Sequence, residues 1–124
     1  MSSRVLVVDD EPDMRASYER LLRRQGFAVV ATGSRHEGLV ILAREPLRLV
    51  IADLRLPDGD GLDIVRAARG RSAPVPVLVV TGFASEASRA AALAAGASGY
   101  LAKPFAATEF SALVAAAAGG RAGP

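Results

Sequence analysis

Val5-Leu6-Val7-Val8 is an unbroken apolar run that stops at Asp9-Asp10, the pattern of a strand buried on both faces of a parallel sheet. Similar runs follow at Phe27 to Ala31, Leu47 to Ala52 and Val75 to Val80, with a shorter one from Gly99 to Ala102. The segments between them change to helical period. Pro12 to Gln25 places Met14, Tyr18, Leu21 and Leu22 on one face, with Pro12 suited to the first turn and Gly26 to the stop. A second helix opens at Ser34-Arg35-His36-Glu37, where Ser34 and Glu37 have capping-box spacing, and ends before Pro46. A third covers about Leu62 to Arg69 and stops at Gly70. The fourth, Ser85 to Ala95, is rich in alanine and stops at Gly96. The fifth, about Thr108 to Ala118, aligns Phe110, Leu113, Val114 and Ala117.

Strands and helices thus alternate, five of each. Such alternation predicts an α/β fold with a parallel sheet covered on both sides, because parallel neighbours need crossover connections that helices provide. The segments share pattern but no motif, so the chain is not an internal repeat. A length of 124 residues with 51% hydrophobic content suits one domain, expected over residues 4–118. Residues 1–3 read as a short tail, and Gly119 to Pro124 as a Gly-rich tail or the start of a linker.

Composition narrows the function classes. No apolar run is long enough to span a membrane, and Met1-Ser2-Ser3-Arg4 leads directly into strand-like sequence, which predicts a soluble, cytoplasmic protein with no membrane partner. Without cysteine, disulfides, thiolate metal sites and a thiol nucleophile are excluded, and any metal is expected on oxygen ligands. The net charge of +2 raises the question of nucleic acid. Arg15, Arg20, Arg23 and Arg24 cluster on the first helix, but Asp13 and Glu19 are interspersed and no aromatic residues are placed to stack bases, so a solvated face is expected instead. Fourteen of the fifteen basic residues are arginine; the exception is Lys103, where a compact ammonium is indicated.

In an open α/β sheet, ligands bind beyond the carboxyl ends of the strands. Asp9 and Asp10 follow the first strand, Asp53 the third, Thr81 the fourth and Lys103-Pro104 the fifth. Carboxylates gathered there would repel by about 4 kcal/mol per pair at ~4 Å and an effective dielectric near 20. Either a shared proton or a hard divalent cation must offset this, and Mg²⁺ retaining several waters is favoured. Together with a lysine and a hydroxyl, such a pocket suits charge spread over a transferring phosphoryl group.

Val7-Val8-Asp9-Asp10-Glu11-Pro12, Ile51-Ala52-Asp53-Leu54-Arg55-Leu56-Pro57 with Asp60-Gly61, Val79-Val80-Thr81-Gly82, and Gly96-Ala97 through Tyr100-Leu101-Ala102-Lys103-Pro104-Phe105 resemble the receiver domains of two-component response regulators. The resemblance covers about residues 4 to 118. It implies a doubly wound five-stranded parallel sheet in the order 2-1-3-4-5, with two helices on one face and three on the other. It further implies that Asp53 accepts a phosphoryl group from a phosphohistidine of a cognate histidine kinase or phosphotransfer protein, with Mg²⁺ as cofactor. Asp10, Asp53 and the backbone carbonyl of Arg55 resemble direct metal ligands, and Asp9 one that acts mainly through metal-bound water. Thr81, with Gly82 beside it, resembles the switch hydroxyl that binds a phosphoryl oxygen, Lys103 the lysine that pairs with another, and Tyr100 the aromatic switch. The peptide between Lys103 and Pro104 is cis in this family. Gly82 stands where alanine is common and Phe83 where many members carry a polar residue, and Arg55 and Phe83 lie where water would attack, so they are expected to tune dephosphorylation. The fourth helix, fifth strand and fifth helix would form the signalling face and a possible homodimer contact. The family does not act as a turnover enzyme, and no direct nucleic-acid contact by this domain is implied.

Other readings compete for the same residues. Asp9-Asp10 could cap the first helix, and Tyr100 could simply pack its ring in the core. His36, in the first turn of the second helix, is a surface residue on this reading. Asp58-Gly59-Asp60-Gly61 fails as a calcium loop, because aligning Gly61 with the required glycine puts Leu56 and Ala67 at the ends. A dinucleotide site fails because the first strand ends in carboxylates, not a Gly-rich turn, and no Walker motif is present. A Mg²⁺-dependent hydrolase would need a second acid-base group and a cap. A pseudo-receiver acting as an interaction module, or a receiver cut from a hybrid sensor kinase or a transcriptional regulator, are the remaining alternatives.

Overall fold

The computed structural model describes residues 3–119; the remainder of both expected tails, 1–2 and 120–124, lies outside the described residues. Its elements are β1 (Arg4–Val8), α1 (Pro12–Arg24), β2 (Ala28–Thr32), α2 (Arg35–Arg44), β3 (Leu49–Ala52), β4 (Arg55–Leu56), β5 (Gly59–Asp60), α3 (Leu62–Arg69), β6 (Val77–Thr81), α4 (Glu86–Ala95), β7 (Gly99–Ala102) and α5 (Ala107–Ala118). Five strands form a parallel sheet in the order β2-β1-β3-β6-β7, which is the expected 2-1-3-4-5 once the short β4–β5 hairpin is set aside. Among the described residues, no helix is long and apolar enough to cross a membrane.

Burial on both sides explains the unbroken apolar runs of the central strands β1, β3 and β6. Along β1, Val5 and Val7 face a core completed by Tyr18 and Leu22 of α1 and Phe110 and Val114 of α5. Leu6 and Val8 face the opposite core, completed by Leu42 of α2, Ile64, Val65 and Ala68 of α3, and Ala92 of α4. Two helices therefore cover one face and three the other. Strand and helix sequences are read by different periods, and this chain switches between them at each sheet edge.

The element ends differ from expectation for identifiable reasons. β2 lies one residue later than the apolar run, and β3 and β6 begin two residues later. Before β6, Pro76 has no amide to donate and contributes only its carbonyl, to the amide of Val50 at 3.0 Å. The capping box expected at α2 is half formed. Ser34 accepts from the Glu37 amide at 3.1 Å, but the Glu37 carboxylate accepts from the Thr32 hydroxyl at 3.0 Å instead of returning to Ser34. A complete reciprocal cap occurs at α4, between Ser85 and Ser88, and Gly96 closes that helix in the left-handed conformation with φ 108°. The β4–β5 hairpin was not anticipated at all; its turn runs through Pro57-Asp58 into Gly59, at φ 149°.

Candidate functional site

The sheet brings Asp9, Asp10, Asp53 and Lys103 to one edge. Parallel pairing fixes the register there: the Asp9 amide donates to Thr32 at 3.1 Å, the Asp53 amide to Val8 at 3.0 Å, and the Lys103 amide to Thr81 at 2.8 Å. Asp9 and Asp53 are buried, whereas Asp10 is exposed. One carboxylate oxygen from each of the three lies within 4.8 Å of the others. Gly61, at the start of α3, permits the close approach behind Asp53, since a Cβ there would stand 1.9 Å from the Asp53 carbonyl oxygen.

Lys103 is the hub of the cluster. Its Nζ donates to Asp9 Oδ2 at 2.7 Å, Asp53 Oδ2 at 3.0 Å and Glu11 Oε1 at 3.4 Å. Burial by itself would lower the pKa of this lysine, but the hydrogen bonds and charges of Asp9 and Asp53 outweigh that and raise it above the ordinary lysine range. The ammonium therefore stays charged. Asp9 Oδ1 accepts from the Glu11 amide at 2.9 Å, and Asp9 Oδ2 also accepts from the Tyr18 hydroxyl at 3.4 Å. Burial, reinforced by the neighbouring Asp9 and Asp53 charges, pushes the Tyr18 hydroxyl far above its usual range, so it remains a donor. Arg15 adds a bond from Nη1 to the Asp9 carbonyl at 2.7 Å. Glu11, Arg15 and Tyr18 carry no signal of these roles in the sequence beyond their nearness to the Asp pair, because the contacts arise only when α1 packs on the sheet.

The other candidates surround this cluster. Thr81 is fully buried and its hydroxyl accepts from the Phe83 amide at 3.1 Å. Gly82 is exposed, with open space where a Cβ would project. The Lys103-Pro104 peptide is cis. The Arg55 guanidinium lies over the Phe83 ring, 3.7 Å from its centroid, and both residues line the same pocket as Asp10 and Asp53. Tyr100 is half-buried; its ring packs beside the core under α4, and its hydroxyl contacts Ser88 Oγ and accepts from the Ser85 amide at 3.4 Å. It is therefore joined to the cap of α4. His36 is exposed, as expected of a surface residue, and its amide donates to Asp58 at 2.9 Å.

The donor set fits a hard divalent cation. Three clustered carboxylates offer only oxygen, as Mg²⁺ and Ca²⁺ prefer, and exposed Asp10 leaves room for retained water. Around that position the pocket lining is mixed in charge, with Arg55 and Lys103 alongside Asp10, Glu11 and Asp53. Such an arrangement can hold an anion and a cation side by side.

Comparison with known proteins agrees with this geometry. A family profile described as "Response regulator receiver domain" matches residues 5–115. The response regulator protein PilR of Pseudomonas aeruginosa is 41% identical over 101 residues, 82% of this chain and 23% of that protein. The response regulator MprA of Mycobacterium tuberculosis is 39% identical over 109 residues, 88% of this chain and 47% of that protein. The chain thus spans less than half the length of these curated relatives. Among solved structures, a CheY-like receiver domain protein from Methanospirillum hungatei superposes with a TM-score of 0.89 at 27% identity, covering 96% of this chain and 95% of that one. The receiver domain of the sensor histidine kinase PA1611 from Pseudomonas aeruginosa, with magnesium coordinated in its active site cleft, gives 0.84 at 28% identity, covering 96% and 99%. A Burkholderia pseudomallei response regulator with a phosphorylated aspartic acid and a calcium ion gives 0.82 at 31%, covering 92% and 65%.

Proposed function

This chain belongs to the receiver domains of response regulators, and from that premise we propose that Asp53 accepts a phosphoryl group from the phosphohistidine of a histidine kinase or phosphotransfer protein. The observation that carries the proposal is the Lys103 ammonium, held between Asp9 and Asp53 at 2.7 and 3.0 Å at the tip of β3. A carboxylate oxygen of Asp53 forms the new bond to phosphorus as the phosphorus–nitrogen bond of the donor breaks. The bonding pair stays on that nitrogen, and a neutral imidazole leaves when its other nitrogen carries the proton.

Lys103 then exchanges its bond to Asp53 for one to a phosphoryl oxygen, and Thr81 turns its hydroxyl from the Phe83 amide to another. Mg²⁺ is the cofactor of this reading; Asp10, Asp53 and the Arg55 carbonyl would hold it, with Asp9 acting through water, and when bound it supplies positive charge to the transferring oxygens. The Arg55–Phe83 stack restricts the approach of water, so these two residues set the lifetime of the acyl phosphate. When Thr81 moves, the Tyr100 ring leaves Ser88 and Ser85, and α4, β7 and α5 form the face that signals or pairs with a second copy. The domain works as a phosphoacceptor in the cytoplasm and not as a turnover enzyme.

Incubation with acetyl phosphate and Mg²⁺, followed by intact-mass analysis, tests this. The wild type should gain one phosphoryl group that is lost in hydroxylamine, and Asp53→Asn should gain none. Equal, stable labelling of Asp53→Asn would remove Asp53 from the role.

A further inference from the structure

The β4–β5 hairpin carries Arg55, yet it has little to hold it in place. Each strand has two residues, paired as Arg55 with Asp60 and Leu56 with Gly59, and of these only Leu56 is buried. A two-stranded hairpin of this length has no independent stability in water, so its position must come from anchors. At its base, the Arg55 amide donates to Asp53 Oδ1 at 3.3 Å and the Gly61 amide to the Leu54 carbonyl at 2.9 Å. At its far end the turn residue Asp58 accepts from the amides of Arg35 and His36, at 2.7 and 2.9 Å. These are the first two residues of α2, and Ser34 already satisfies the next free amide, that of Glu37.

α2 is itself fixed to the carboxylate cluster. Gly38 sits so close to β1 that a Cβ there would meet the Val8 side chain at 2.9 Å, and Val8 directly precedes Asp9. The Arg35 side chain crosses Gly59 and ends on Asp63 Oδ2 of α3 at 2.8 Å. Contacts therefore run from Asp9 through Val8 and α2 to Asp58, and from there along the turn to Arg55.

We propose that Asp58 is a positioning residue for the cation site, tying the hairpin to the start of α2 so that the Arg55 carbonyl is held beside the carboxylates. The inference rests on the reading of Asp10, Asp53 and Arg55 as Mg²⁺ ligands and adds the residue that keeps the third of them in place. The bland alternative is that Asp58 merely caps α2, which predicts a small loss of stability and unchanged Mg²⁺ affinity.

Mg²⁺ titration by calorimetry, without phosphodonor, separates the two. Asp58→Ala should weaken Mg²⁺ by about 10-fold, the lower end of the effect of removing an outer partner of a metal ligand. Asp58→Asn, which removes the charge and keeps one of the two acceptor oxygens, should weaken Mg²⁺ less than Asp58→Ala, within about 3-fold of wild type. Equal weakening by both variants would mean that the retained acceptor contributes nothing, and would overturn the proposal.

A second pair leaves Asp58 untouched. Ser34 is extended, at φ −126° and ψ 150°, so proline is compatible with the first position of α2. Arg35→Pro removes the amide that Asp58 accepts, whereas Arg35→Ala removes only the side chain. The proline variant should bind Mg²⁺ at least about 2-fold more weakly than the alanine variant, a modest share of an outer-partner effect; equal affinity would count against the anchor even if Asp58→Ala failed to fold. Asp10→Asn serves as the control for the site. If the wild type and Asp10→Asn bind Mg²⁺ alike, the cation site itself is wrong and the inference falls with it. Loss in Asp10→Asn with normal binding by Asp58→Ala would overturn the positioning role alone.

Discussion

Helix α4 is attached to its face of the sheet differently from the two helices that cover the opposite face. On that opposite face, Tyr18, Phe105 and Phe110 form a cluster of rings with centroids 5.3 to 6.1 Å apart, and α1 and α5 bury Leu22 and Val114 beside them. By contrast, α4 buries one residue, Ala92, while Leu93 is 41% exposed. Packing energy follows the buried apolar area, so a helix that offers a single methyl group is held far less firmly than one that offers a phenyl ring. What keeps α4 in register is polar instead: the reciprocal Ser85–Ser88 cap and the Tyr100 hydroxyl against it. Under the function proposed above, in which this surface rearranges when Asp53 is phosphorylated, such contacts suit it, because exchanging hydrogen bonds costs little compared with opening a packed core.

The largest test of this contrast is Phe110→Ala. It should lower stability by about 3–5 kcal/mol in urea denaturation, and a loss near that of a surface change would mean the ring cluster does not anchor α5. Next in size, Ser85→Ala should cost ~1 kcal/mol, visible as faster amide hydrogen exchange along α4 while α1 is unaffected. Equal acceleration in both helices would show that α4 does not open separately. The smallest effect is expected at Leu93→Ser, within about 0.5 kcal/mol of wild type by the same denaturation; a multi-kcal loss there would contradict the loose attachment of α4.

The sheet was legible because its central strands are buried on both sides, and runs such as Val5 to Val8 and Val77 to Val80 have no other economical use. The strand ends also located the carboxylates and Lys103, since a parallel sheet places all its carboxyl ends together. The hairpin was illegible for the opposite reason: two-residue strands have no period, and Asp58-Gly59-Asp60-Gly61 suggested only a calcium loop, which fails. Its anchor could not be seen either, because the partners of Asp58 are backbone amides more than twenty residues earlier. The Ser85–Ser88 cap lacked the acidic residue that marks such boxes, and the half-formed box at Ser34 had it. At Ser34 the neighbouring strand decided the outcome, because the Thr32 hydroxyl of β2 donates to the Glu37 carboxylate.

The bridging ammonium also bears on how the polypeptide first assembles. Because Lys103 arrives from the last strand and touches Asp9, Asp53 and Glu11 at once, the chain brings its own counter-ion to the acidic tip. Part of the repulsion between Asp9 and Asp53 is thereby offset by a charge the polypeptide carries itself.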